Sequence, residues 1–363
     1  MAPSLIDFAR GVPADESFAF ELVAECAAAV LRGPQGTRVM QYGPGGGFAP
    51  LREWLGERHG VPLEQVALAN GSLQFLDFIG WTLLQGGATV LVESPTYDRA
   101  VTLFRRHGAK VVGVPLGKDG PDVEALASIC AREKPRLFYT IPDFQNPSGL
   151  TATHAVREHI AALAEQHGFW ILEDAPYRSL RYRGESPAPL RDLAPARTLH
   201  MSSFTKQIAP GVRVGYLVGP ADVIAKLAAI AEATYISPNY IGEATVWEFC
   251  RRGWLEPQLE RLRQLYGPRL EAACTAVKTH LPGALWGEPE GGFFLSLTIP
   301  GGLVGDALRA RATDAGLKLS DGRGFFPTPA DGDRFVRLPF CALPPDTFAE
   351  GVRRLASLVG AGS

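Results

Sequence analysis

Long apolar runs, paired cysteines, clustered histidines and any excess of charge are all missing from this chain. The apolar stretch Cys26 to Leu31 is far too short to cross a bilayer, and Asp7 and Arg10 interrupt the region where a secretory core would lie. The five cysteines, Cys26, Cys130, Cys250, Cys274 and Cys341, are scattered and form no CxxC pair, so they read as buried thiols of a reducing compartment. The seven histidines include no HExxH pattern, and His154 and His159 do not share a helical face, so no metal site is expected. A formal net charge of -2 offers no electrostatic case for nucleic acid or an anionic membrane. The expectation is a cytoplasmic, soluble protein whose partners are small molecules.

What is present is ordinary globular composition with a clear rhythm. At 363 residues, 46% hydrophobic and 20% charged, the chain has room for roughly two domains and too much apolar content for disorder. Residues 88–93, 110–114, 137–141 and 169–172 are short and apolar, as buried strands should be, and 197–201 and 214–218 read the same way. Helical patterns fill the gaps at 74–84, 99–107, 123–133 and 155–167. This alternation predicts an α/β domain with a mostly parallel sheet and helices on both faces. Past Pro238 the texture changes. A long amphipathic helix over 243–278, broken near Gly253 and again at Gly267-Pro268, precedes strands at 291–297 and 334–338 that flank a helix near 304–315. That reads as a smaller α+β unit, onto which a helix at 21–31 should pack. The predicted division is a large domain over 46–258 and a small discontinuous domain from 1–45 and 259–363, with the glycine-rich segment 43–47 as a hinge or interface.

Two segments carry chemistry. The run Ser202-Ser203-Phe204-Thr205-Lys206 to Arg213 joins two predicted strands. It puts a lysine near the interior, where burial lowers an amine's pKa and makes it a usable nucleophile toward an aldehyde. Hydroxyls and an arginine beside it suit a phosphate. Upstream, the strand at 169–172 ends in Glu173-Asp174, at the edge where open α/β sheets bind ligands. An aldehyde and a phosphate on one small molecule describe pyridoxal 5′-phosphate, and such a cofactor needs an acid at that strand end to keep its pyridine nitrogen protonated.

With these segments the chain resembles the class I/II aminotransferases, pyridoxal-phosphate enzymes of fold type I. The likeness is strongest to the 2-aminoadipate/kynurenine aminotransferase branch, which also supplies the effector domain of MocR-type regulators. The resemblance spans nearly the whole chain through Gln41-Tyr42-Gly43 with Leu51-Arg52, Asn70-Gly71-Ser72, Glu93-Ser94-Pro95-Thr96-Tyr97, Pro142 to Gly149, Glu173 to Tyr177, the Lys206 run and Arg337-Leu338. It implies that Lys206 bonds the cofactor aldehyde and then shuttles a proton as general base and acid. Asp174 is implied to pair with the ring nitrogen, Asn146 and Tyr177 to bond the phenolic oxygen with Pro176 beside them, and Tyr97 to stack on the ring. Gly71, Ser72, Ser203, Thr205 and Arg213 form the implied phosphate cup, with only the backbone of Leu73 able to contribute. Arg337 takes the substrate carboxylate, Gly11 lies near the substrate, and Tyr42 reaches across from a second subunit of a homodimer.

The resemblance implies transfer of an amino group from an L-amino acid to a 2-oxo acid such as 2-oxoglutarate. Relatives that prefer dicarboxylates carry an arginine in the helix after Gly11; here Asp15, Glu16, Ser17 and Phe18 follow and Arg10 precedes. The expected donors are therefore broad: aromatic, aliphatic or long-chain. The alternatives are a lyase, decarboxylase or cyclase on the same fold, and a non-catalytic ligand sensor, which the lack of a basic patch and of room before Asp7 argues against.

Overall fold

The short apolar runs become one central sheet in the computed structural model, which describes residues 4–360. The strands, in chain order, are β1 (Ile6–Phe8), β2 (Val66–Ala69), β3 (Thr89–Ser94), β4 (Lys110–Gly117), β5 (Gly120–Pro121) and β6 (Leu137–Thr140). They continue as β7 (Trp170–Asp174), β8 (Thr198–Ser203), β9 (Gly215–Val218), β10 (Phe294–Thr298), β11 (Leu317–Leu319) and β12 (Phe335–Pro339). Eight of them form a sheet in the order β2-β9-β8-β7-β6-β3-β4-β5. From β8 to β4 all neighbours are parallel, whereas β9 runs antiparallel to both β2 and β8. Strands β2, β6, β8 and β9 are buried at every position; β2, β6 and β9 are accordingly mainly apolar rather than alternating, whereas β8 buries Thr198, His200, Ser202 and Ser203. The α/β fold with a mostly parallel sheet is as predicted.

Local signals start the crossover helices. The Asp122 carboxylate accepts from the N–H groups of Glu124 and Ala125 to cap Val123–Glu133, and Thr153 caps His154–His167 in the same way. The smaller unit pairs β10 with β12 antiparallel and β1 with β11 parallel. Its core gathers Ile6, Phe8, Leu270, Leu295, Leu338 and Val352.

Two expectations need correction. The N-terminal helix Phe20–Arg32 does not pack on the smaller unit: it lies on Tyr240–Arg251, and its buried Cys26 and Val30 belong to the large core. The long helix breaks near Gly253, whose φ is +73°, but Leu255–His280 then runs unbroken through Gly267-Pro268. Proline there forfeits one backbone hydrogen bond. Leu262, Tyr266, Leu270 and Ala273, buried before and after it, hold the helix in place. The segment 43–47 lies along the large unit, with the Leu68 N–H donating to the Gly46 carbonyl at 3.0 Å.

Candidate active site

A cavity of about 750 Å³ opens at the carboxyl ends of β6, β7 and β8, walled on the far side by residues of the smaller unit. That position follows from topology, because open α/β sheets expose strand ends and loop backbone there. Every residue named above for cofactor or substrate lines this cavity, with one exception. Tyr42 sits outside it, 73% exposed.

Lys206 stands three residues beyond the end of β8. Its Nζ donates to the Gly11 carbonyl at 3.2 Å and lies 5.5 Å from the centre of the Phe293 ring. Burial depresses the amine below its ordinary range. An amine held that way keeps a reachable neutral form, which is what attack on a carbonyl requires.

Asp174 ends β7, register-paired with Met201 on β8. Its Oδ2 accepts from the Tyr139 hydroxyl at 2.7 Å, while its Oδ1 is buried with no partner at all. Burial pushes the carboxyl up to about 7, against the pull of the tyrosine bond. An orphaned buried carboxylate oxygen is costly unless a ligand supplies a donor. Asp174 therefore has one oxygen fixed by the protein and the other free for an N–H.

A donor cup lies beside it. The helix Leu73–Leu83 begins at Gly71-Ser72, so its unsatisfied N–H groups meet the cavity. The Ser203 hydroxyl donates to Thr205 Oγ1 at 2.6 Å, and the Thr205 N–H donates to Ser203 Oγ at 3.0 Å. Arg213 donates from Nη2 to the Asn70 carbonyl at 2.9 Å, has no carboxylate partner among the described residues, and holds a left-handed φ of +54°. β9 can approach this closely only because residue 215 is glycine: a Cβ there would lie 2.2 Å from the Ser72 nitrogen. Leu73 turns a 38% exposed side chain outward, which leaves its backbone for the cup.

Of the remaining residues, Arg337 comes from the smaller unit, while Asn146, Tyr177 and Tyr97 follow strands of the central sheet. Arg337, on β12, donates from Nη1 to Asn146 Oδ1 at 2.9 Å and from Nη2 to the Ala9 carbonyl at 2.8 Å. Its guanidinium lies 4.7 Å from the ring centres of both Phe294 and Phe325, and its Nε is buried without a partner. With its oxygen occupied, the Asn146 amide keeps its N–H groups for a ligand. Tyr177 follows Pro176 and packs its buried ring against Phe293 and Phe294. Burial, then the neighbouring Asp98, lifts the Tyr97 hydroxyl to about 12, so it stays protonated.

Sequence reasoning missed the groups that hold these residues in place. Glu93, at the end of β3, accepts from Thr140, from the Ile141 N–H and from Gln145, tying β3 to the loop that carries Asn146. Asp143 is wholly buried between Arg157 and Arg178, which joins the Asn146 loop to the Tyr177 loop. Tyr139 is the third. A tyrosine inside an apolar strand needs a hydroxyl partner, and that was the available signal. Among the described residues, no group of three His, Cys, Asp or Glu is placed to hold a metal ion.

A family model described as aspartate amino-transferase matches residues 4–359. The chain belongs to the aminotransferases. Aromatic-amino-acid aminotransferase 1 of Thermococcus litoralis is 32% identical over 368 residues, covering 98% of this chain and 88% of the relative. The α-aminoadipate aminotransferase LysN of Thermus thermophilus, solved with N-(5′-phosphopyridoxyl)-L-leucine, superposes with a TM-score of 0.91 at 34% identity. That match covers 98% of this aminotransferase and 92% of LysN. Kynurenine aminotransferase of Pyrococcus horikoshii, solved with PMP, kynurenine and its product, gives 0.94 at 31% identity over 99% and 91% of the two chains. No helix among the described residues is long and apolar enough to cross a membrane.

Proposed function

We propose that this aminotransferase uses pyridoxal 5′-phosphate to move the amino group of an L-amino acid to a 2-oxo acid such as 2-oxoglutarate, accepting aromatic, aliphatic and long-chain donors. The observation that carries the proposal is the orphaned Oδ1 of Asp174, buried in the same cavity as a depressed lysine amine and a donor cup. A ring N–H, an aldehyde and a phosphate answer these three features in turn.

The cofactor supplies an aldehyde that bonds amines and a protonated ring that draws electrons from the carbon beside the bonded nitrogen. The chain's residues do the rest. Asp174 Oδ1 holds the proton on the ring nitrogen, and Tyr139 keeps that carboxylate oriented. Asn146 and Tyr177 donate to the phenolic oxygen, while Ser72, Ser203, Thr205 and Arg213 bind phosphate. Arg337 takes the α-carboxylate, which fixes the substrate Cα within reach of Lys206. The Lys206 amine would be the group that bonds the aldehyde and, when free, the base within reach of the proton on the substrate Cα.

The same reading includes a homodimer. Met40, Tyr42, Leu73, Ile236 and Ile241 are exposed apolar or aromatic side chains, and their segments are brought together by Gly43 against the Tyr240 ring and by the Asn239 N–H bonding Asn70 Oδ1 at 2.9 Å. A second copy would cover them and bring Tyr42 to its partner's site. All five cysteines are free and buried, which supports a cytoplasmic setting.

The test is direct. The purified protein should carry a visible absorption band that borohydride abolishes, with reduced cofactor recovered on Lys206, and should convert several amino acids with 2-oxoglutarate without releasing CO₂ or pyruvate. A colourless protein that cannot be reconstituted overturns the cofactor assignment, and decarboxylation or elimination overturns the reaction.

A further inference from the structure

The central sheet has a second cavity on its other face. Side chains alternate along a strand, so Asp174, Met201 and Ser203 point to the cofactor side of β7 and β8, while Glu173, His200 and Ser202 point the opposite way. There Ala175, His200, Ser202 and Tyr216, all buried, form the floor of a hollow of about 400 Å³. It shares no lining residue with the cofactor cavity.

Four arginines wall the hollow: Arg58, Arg178, Arg191 and Arg263. Their carboxylate partners are exposed or shared. Glu256, Asp192 and Glu260 pair with Arg58, Arg191 and Arg263 at 2.7, 3.0 and 3.2 Å, but each acid is more than half exposed, and such pairs are worth little. Asp143 serves both Arg178 and the wholly buried Arg157. Glu173 is already taken, accepting from the Leu190 N–H at 2.8 Å, the Arg191 N–H at 3.2 Å and His200 Nδ1 at 2.8 Å. Burial, then the neighbouring His200, pushes His59 down to about 3, so this ring stays neutral and the arginines carry the charge of the wall. Two polar groups are idle. Arg191 Nε is buried without a partner, and His200, only 4% exposed, makes no hydrogen bond from Nε2 to any described residue.

We propose that this hollow is a second anion site, taking a small molecule that carries a phosphate or several carboxylates. Guanidiniums bond both groups through paired N–H donors, and an oxyanion among four of them relieves their mutual repulsion. They come from three separate stretches of chain: the end of Ala49–His59, the crossover between β7 and β8, and the helix Leu255–His280. The occupant would stand directly behind the cofactor's own groups. Ala175 follows Asp174, Ser202 precedes Ser203, and the Ser202 hydroxyl donates to the Ala175 carbonyl at 3.0 Å. The site does not depend on which reaction the cofactor cavity performs.

Calorimetric titration of inorganic phosphate into the cofactor-loaded protein, at constant ionic strength, reads the site directly. The unmodified protein should bind phosphate, Arg191→Gln and Arg263→Gln should each weaken that binding by about tenfold, and Arg191→Lys should keep part of it. Arg263 is a partly exposed residue on a long helix, so Arg263→Gln tests the site even where Arg191→Gln disturbs folding. Citrate, titrated in parallel, separates the two sources: tighter binding of citrate through the same arginines makes the ligand a polycarboxylate, and tighter binding of phosphate makes it a phosphate ester. Arg337→Ala should leave phosphate affinity unmoved. Binding that survives both glutamine substitutions overturns the site, and its loss in Arg337→Ala would move the anion to the cofactor cavity. Absence of binding by either anion at roughly ten millimolar overturns it as well.

Discussion

The two walls of the cavity are built to different standards. The cofactor wall grows from the ends of β6, β7 and β8, where Asp174, Ser203 and Asn146 are nearly solvent-free and each is anchored by a buried partner. The substrate wall comes from residues 9–12 and 318–325, where Arg10 and Lys318 carry exposed side chains. The difference separates what must stay constant from what can change. Chemistry on a bound ring needs groups held to fractions of an ångström, whereas accepting several side chains needs slack.

Removing the amine gives the largest expected effect. Lys206→Ala should cut turnover by about a thousandfold or more and abolish the borohydride-sensitive band. Near-normal turnover would mean that the cofactor wall does not perform the chemistry. Next, Asp174→Asn should retain bound cofactor yet lose about a hundredfold in rate, measured in single half-reactions; an unchanged rate would give the ring nitrogen another partner. Tyr139→Phe removes one bond from that carboxylate and should weaken cofactor affinity by roughly five- to tenfold, in keeping with about 1 kcal/mol for a hydrogen bond. If the tyrosine only fills space, affinity will not move.

The smallest effect concerns pH. In the cofactor-free protein Asp174 holds its proton up to about 7, whereas an unfolded aspartate releases it near about 4. Between those values the folded state binds more protons, so this group's contribution makes stability fall as pH rises through the window and level off above it. Denaturant melts at about pH 5 and about pH 7.5 should show a fall that is smaller in Asp174→Asn. Equal slopes in both proteins would place the titration elsewhere.

The sequence made the cofactor wall legible for the same reason that the wall is rigid. Asp174 at the end of an apolar strand and Lys206 between two strands are expensive placements, and expense leaves a mark. The sheet was readable too, because most of its buried strands are mainly apolar. What escaped were contacts between segments distant in the chain. Nothing in Tyr139 names Asp174, and nothing in Asp143 names both Arg157 and Arg178. The helix Phe20–Arg32 has an apolar stripe that either unit could have covered; only the three-dimensional match to Tyr240–Arg251 decides. Pro268 misled because a local breaker was overruled by burial on either side of it.

The carbonyls of Ala9 and Gly11 have a practical consequence. Because they hold Arg337 and Lys206, residues 9–11 are fixed to the cavity, and β1 ties them into the smaller unit through β11. Trimming into that segment, or crowding it with a fused partner, should therefore disturb the positions of Arg337 and Lys206 in the cavity. Purification handles and reporter fusions belong at the other terminus, beyond the helix Pro345–Leu358, where no described contact reaches the cavity.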